Sequence, residues 1–184
     1  MLPTRYLRGV AIAPFEGAPG IFAAPHSRHP GSYRYLSSYQ DGQVQKPRLF
    51  ALLARYGQPE ARAEWDLHHI VEGQHFADTD FRGELPAVYA AQLPCVLIHK
   101  AEHRAYNRLL HCRETDDLFR DALPRDLAAR SRATAAAYRD PQRRPELRAR
   151  VRELAALYRG AYDGDAVLQR VAQNVFDDAL ARVR

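Results

Sequence analysis

Six of the eight histidines in this 184-residue chain fall between Trp65 and His111: His68, His69, His75, His99, His103 and His111. Imidazole changes charge near neutral pH and is also the commonest side-chain ligand of divalent metals. A cluster of this kind predicts proton transfer, metal binding or both. Adjacent strand residues point to opposite faces, so His68 and His69 in LHHIV act together only where a strand ends or bulges. One imidazole can then bind a metal while its neighbour handles a proton. His99 and His103 are four residues apart, which puts both rings on one face if a single helix carries them. Asn107 and His111 continue that face. Three imidazoles on one divalent ion, with positions open to water and phosphate, make a hydrolytic geometry.

These residues need elements to hold them. The β-formers Trp65, Ile70 and Val71 predict a short strand over Glu64–Val71. A loop follows over 72–91, with a possible helical turn at PAVYAAQ. The continuous apolar run Leu93–Ile98 predicts a buried strand, and His99–Leu110, free of breakers, predicts a helix. Upstream, KPRLFALLARYG predicts a helix of about ten residues that opens at Pro47 and closes at Gly57. Residues 1–47 are dense in Gly, Pro, Ser and Tyr. They are expected to be irregular, with short strands at most, at Arg8–Ile12 and Tyr33–Leu36. His26 and His29 read as solvated loop residues. Beyond Cys112 the pattern is helical, broken at Pro124 and Pro141. One apolar stripe carries Leu147, Val151, Leu154, Leu157 and Tyr158. A second carries Val167, Leu168, Val171, Val175, Phe176 and Leu180, with Asp165 as its N-cap. The expectation is an α+β chain, predominantly α, forming one domain over 1–184. It comprises an irregular region (1–47), a helix with a two-strand-and-helix core (48–112) and a helical lobe (113–184).

Composition narrows the partners. The hydrophobic fraction of 46% suffices for a core, and net charge is +5 with 25 of 27 basic residues arginine. Arginine offers forked donors that match phosphate oxygens, so a polyanion is the natural partner. Cys95 sits in LPCVLI, where a buried free thiol is expected, and with Cys112 it forms no CxxC zinc pair. No apolar run reaches the roughly 18 residues of a membrane span. GVAIAPF is too short for a cleavable signal peptide, so a soluble chain without one is expected.

The order strand, LHHIV, loop, strand, then a histidine-bearing helix resembles the ββα-metal (HNH/His-Me finger) nucleases. The resemblance covers about 47 residues, and is nearest to the HNH-type toxin domains of bacterial polymorphic toxins and nuclease colicins. It implies that His68 is a metal ligand, His69 the general base that activates water, and His103 the helix ligand, with His99 added in the colicin-type version. The family's orienting Asn has no counterpart between 70 and 106, and Gln92 is the nearest position offering a similar carbonyl. His75 is a further candidate for substrate or metal contact. Lys100, Arg104 and Arg108 flank the helix and would hold phosphates, with Asn107 on the ligand face. The implied activity is metal-dependent endonucleolytic hydrolysis of DNA with little sequence specificity, using one divalent ion (Mg, Mn, Ni or Zn). RNA is a possible alternative substrate. The implied setting is an antibacterial effector, delivered by a secretion system into the cytoplasm of a target bacterium and checked in its producer by an immunity protein. A non-catalytic histidine metal module that binds nucleic acid or a partner protein is the competing reading.

Overall fold

The computed structural model describes residues 1–55, 64–72, 92–110, 141–142 and 144–182. The expectations placed on His75, His111, Cys112, the 73–91 segment and the helices of 113–140 lie outside the described residues. The fold is α+β, as expected: an antiparallel five-stranded sheet with helices on both faces. In chain order the elements are β1 (Ala13–Pro14), β2 (Phe22–Pro25), β3 (Tyr33–Ser38), α1 (Tyr39–Arg55), β4 (Trp65–His69), β5 (Pro94–His99), α2 (Lys100–Leu110), α3 (Arg144–Ala161) and α4 (Ala166–Arg182). Strand order is β1-β2-β3-β5-β4, so the apolar β5 lies between β3 and β4. No helix among the described residues is long and apolar enough to cross a membrane.

The N-terminal region is the first correction. Beyond the expected strand at Tyr33–Leu36, which forms and extends to Ser38, it supplies β1 and β2, three of the five strands in all. Tyr33–Ser38 pairs with Pro94–His99 from Tyr35↔Leu97 to Ser38↔Pro94, and Phe22–Pro25 pairs with Tyr33–Leu36 on the other side. The turn formers set the hairpin corners without interrupting the strands. The expected strand at Arg8–Ile12 is displaced to Ala13–Pro14. A second correction concerns α1, which starts eight residues before Pro47. Ser38 caps it: the Asp41 amide donates to Ser38 Oγ at 3.1 Å, and Ser38 Oγ donates to Asp41 Oδ2 at 2.7 Å. That cap nucleates a turn upstream, and Pro47 sits exposed inside the helix, where it forgoes one backbone hydrogen bond.

Period-two alternation sorts the sheet residues between two cores. On one face Tyr35, Leu97 and Trp65 pack with Leu49, Phe50 and Leu53 of α1. On the other, Ala24, Leu36, Val96 and Ile98 pack with Tyr106 and Leu110 of α2 and the apolar stripes of α3 and α4. Those stripes follow the sequence pattern: Val151, Leu154, Tyr158, Leu168, Val171, Val175 and Phe176 are buried, and Asp165 caps α4 through the Leu168 amide at 3.1 Å. Each such side chain contributes about 1.5–3 kcal/mol through burial.

Helix α1 approaches the sheet closely at Gly42. A Cβ there would lie 2.5 Å from Ser37 Oγ and 2.8 Å from a Leu67 methyl. Gly42→Ala should therefore destabilise the fold by about 1–3 kcal/mol through overpacking, despite alanine's better helix propensity. Urea unfolding reads this directly, and a neutral or stabilising result would show that α1 can shift away at no cost.

Candidate metal and proton-transfer site

Strand β4 stays in register through its last residue, with His68↔Val96 and His69↔Cys95. The two histidines therefore point to opposite faces. The strand ends at His69, two residues before the expected Val71, and does not bring both rings to one point. His68 enters the helical core and is fully buried. Its ring lies 4.9 Å from that of His103 and stacks on Tyr106 at 5.7 Å. His68 Nε2 is 2.9 Å from the Tyr162 hydroxyl, which donates its own hydrogen to the Ile70 carbonyl at 2.7 Å. Tyr162 has one hydrogen to give. The His68 contact is thus inferred to run from Nε2–H to the Tyr162 oxygen, which puts the lone pair of a neutral His68 on Nδ1.

His103, on α2, is positioned in a comparable way. Its Nδ1 is 3.4 Å from Asp66 Oδ2, on the same strand face as His68. Burial works against charge on Asp66. Hydrogen bonds from Lys46 and the Leu67 amide, with the positive fields of Lys46 and His103, still hold its carboxyl below the ordinary range. A carboxylate on Nδ1 leaves Nε2 of His103 as the atom that could ligate a metal, since metal-bound imidazoles usually hold a carboxylate or carbonyl on the other nitrogen.

His99 corrects the remaining ligand expectation. Strand β5 runs through His99, which pairs with Trp65, and the helix begins only at Lys100. The four-residue spacing aligns two side chains only when both belong to the helix. Here His99 is on the α1 face of the sheet, exposed, with Nδ1 accepting the Ala101 amide at 3.2 Å and Nε2 3.7 Å from Glu64. His68 and His103 meet; His99 does not join them.

On the opposite face His69 stacks on Tyr39 at 4.5 Å with 23° between ring planes. Burial, aided by the positive field of His103, lowers its pKa, so His69 is neutral at physiological pH. No hydrogen bond joins it to Gln92, which lies half-buried just before β5. Arg104 and Arg108 are exposed one turn apart on α2, and Lys100 is partly exposed. Asn107, one turn beyond His103, has a buried Oδ1 with no hydrogen-bond partner among the described residues.

Two groups were not anticipated from the sequence. Tyr106 and Tyr162 flank His68, their ring centres 4.8 Å apart, and Tyr158 packs against Tyr162 at 5.9 Å. Tyr158 lay in a predicted stripe, and the i+4 position of Tyr162 was the available signal. The second is Glu72, which follows the fully buried Ile70 and Val71. Its amide donates to the Tyr158 hydroxyl at 2.9 Å, and burial raises its carboxyl to about 7.

A further set of metal-capable groups, His26, Glu102 and Asp165, lies within 4.8 Å. Arg34 already bonds both carboxylates, at 2.8 Å to Glu102 Oε2 and 2.6 Å to Asp165 Oδ2. A guanidinium there opposes a divalent cation, so this set is an ion network. No family model, curated protein or solved structure matches the chain.

Glu72 supplies a pH test. Between about pH 4.5 and 7 the unfolded chain has released this proton while the folded chain retains it, so stability falls as pH rises. His26 and His69, whose pKa values burial lowers, act in the opposite sense over the upper part of that range. Comparing urea midpoints of wild type and Glu72→Gln across these pH values isolates the carboxyl: the variant should lose less stability on going to pH 7. Parallel profiles would show that Glu72 ionises normally in the folded chain.

Proposed function

We propose that the chain is a metal-dependent endonuclease of the ββα-metal kind, hydrolysing DNA phosphodiester bonds with little sequence preference. The observation that carries this reading is the pairing of His68 and His103 across the junction of β4 and α2. His68 Nε2 is directed to Tyr162 and His103 Nδ1 to Asp66, and the two rings lie 4.9 Å apart. The donor set suits Zn or Ni, and Asp66 beside His103 adds an oxygen of the kind Mg or Mn takes. His68 and His103 would hold the ion; when bound, it supplies positive charge against the developing phosphorane.

The chain's own groups do the rest. Neutral His69 is the base that the resemblance implies; β4 in register turns it to the face opposite His68 and His103, so it serves a phosphate at that pair only if the end of the strand turns over. Tyr39 holds its ring by stacking, in the place the family gives to an orienting Asn. Arg104 and Arg108 present guanidinium groups along α2 to backbone phosphates, which carry no base information, so binding weakens steeply with salt. RNA as substrate, delivery into a competing bacterium's cytoplasm and an acidic immunity protein in the producer belong to the same proposal. Complete burial of His68 favours a second reading, in which the histidine pair serves the core and the chain binds nucleic acid without cutting it.

Incubation with supercoiled plasmid and a panel of Mg²⁺, Mn²⁺, Ni²⁺ and Zn²⁺ decides between them. Cleavage is expected, falling about 10²- to 10⁴-fold in His69→Ala with metal affinity retained. His103→Ala should weaken metal binding by about 10-fold or more, read by calorimetry. Intact plasmid with every ion, in wild type and variants alike, would leave the non-catalytic reading standing.

A further inference from the structure

The α1 face of the sheet carries a second feature, at the end of the strands away from His69. A cleft of about 660 Å³ opens there, within the roughly 300–1,000 Å³ usual for small-ligand sites. Its walls hold four aromatic rings, Phe15, Tyr33, Tyr35 and Trp65, together with His29 and His99. Tyr33 is 51% exposed, unusual for a large ring on a central strand. Phe15 meets Tyr35 edge-on at 4.9 Å, and Trp65 meets His99 nearly perpendicular at 6.5 Å. Arg34, Glu102 and His26 also reach the cleft, where they offer hydrogen-bond donors and acceptors.

The charges choose the occupant. Around Arg34 one guanidinium faces two carboxylates, Glu102 and Asp165, so the polar wall has no surplus positive charge to draw in an anion. A phosphate is therefore disfavoured inside. A flat, neutral, hydrogen-bonding ring is suited, because aromatic walls stack on any nucleobase face and edge groups are met by His26 and Glu102. The polymer's phosphates would remain outside, attracted by a chain of net charge +5. In a duplex the base faces are already stacked, so the base taken must be unpaired.

We infer that this cleft binds an unpaired nucleobase of single-stranded nucleic acid. The inference takes its polymer from the nuclease reading. Trp65 and His69 share one face of β4, about 13 Å apart at strand rise, and Leu67 between them packs under α1 at Gly42, so the cleft holds its base at a site separate from His69.

Trp65 is the sole tryptophan, so its fluorescence reports occupancy without a label. In EDTA, where cleavage is prevented, wild-type protein is titrated with a short oligothymidylate, a blunt duplex of equal length and inorganic phosphate. The single strand should quench Trp65 at about tenfold lower concentration than the duplex, and phosphate should leave the emission unchanged. Tyr33→Ala, at an exposed position and with an unchanged melting temperature, should weaken the single-strand titration about tenfold. Equal quenching by both polymers, quenching by phosphate, or an unaffected Tyr33→Ala titration would overturn the inference. Plasmid cleavage without oligonucleotide quenching overturns the cleft and leaves the nuclease. Quenching without cleavage supports the cleft and removes the nuclease.

Discussion

Arg34 is the tie on which the arrangement depends. It is 3% exposed, projects from β3 and bonds Glu102 on α2 and Asp165 at the start of α4. Burial alone would disfavour the guanidinium charge, but the two carboxylates overcome it and raise its pKa. Asp165 is itself fully buried and also caps α4. Three elements distant in sequence thus meet at one desolvated charge cluster. A buried charge without its partners is strongly unfavourable, so positions that would separate these groups are excluded. That constraint sets where α2 lies against the sheet, and hence where His103 meets His68.

From that fixed point the chemistry divides between two faces of one sheet. The helical side is closed: His68 lies between Tyr106 and Tyr162, its tautomer set by Tyr162, with His103 alongside. The α1 side is more open and carries His69, stacked on Tyr39, and farther along the same strand Trp65. A single run of five residues, WDLHH, therefore serves both faces. Asp66 and His68 belong to one, Trp65 and His69 to the other. The alternation gives each histidine its own surroundings: a fully buried ring between tyrosines and a half-buried ring stacked on Tyr39.

Much of this was legible in the sequence where the signal was local and periodic. The apolar run at 93–98 forms β5, the stripes of 144–182 face the core, Asp165 caps α4, and Cys95 is a buried free thiol. In the N-terminal region the strand at Tyr33–Leu36 was legible, but Gly and Pro density reports turns and says nothing about Phe22–Pro25, which gains its stability by pairing with β3. The start of α1 was misread because Pro47 is a common first helical residue, whereas the Ser38–Asp41 cap acts eight residues earlier.

By itself, the sequence determined the elements at the centre, their order and the histidines they carry, since hydrophobic periodicity and strand propensity are properties of neighbouring residues. Only the tertiary structure decided which histidines meet. His99 and His103 have the spacing of a helical pair, but pairing with Trp65 makes His99 the last residue of β5, one position before the helix begins at Lys100. The tyrosines flanking His68, the elevated carboxyl of Glu72 and the convergence on Arg34 were equally beyond reach. Each depends on residues tens of positions apart and on burial, and both are settled only when the sheet and its helices close on one another.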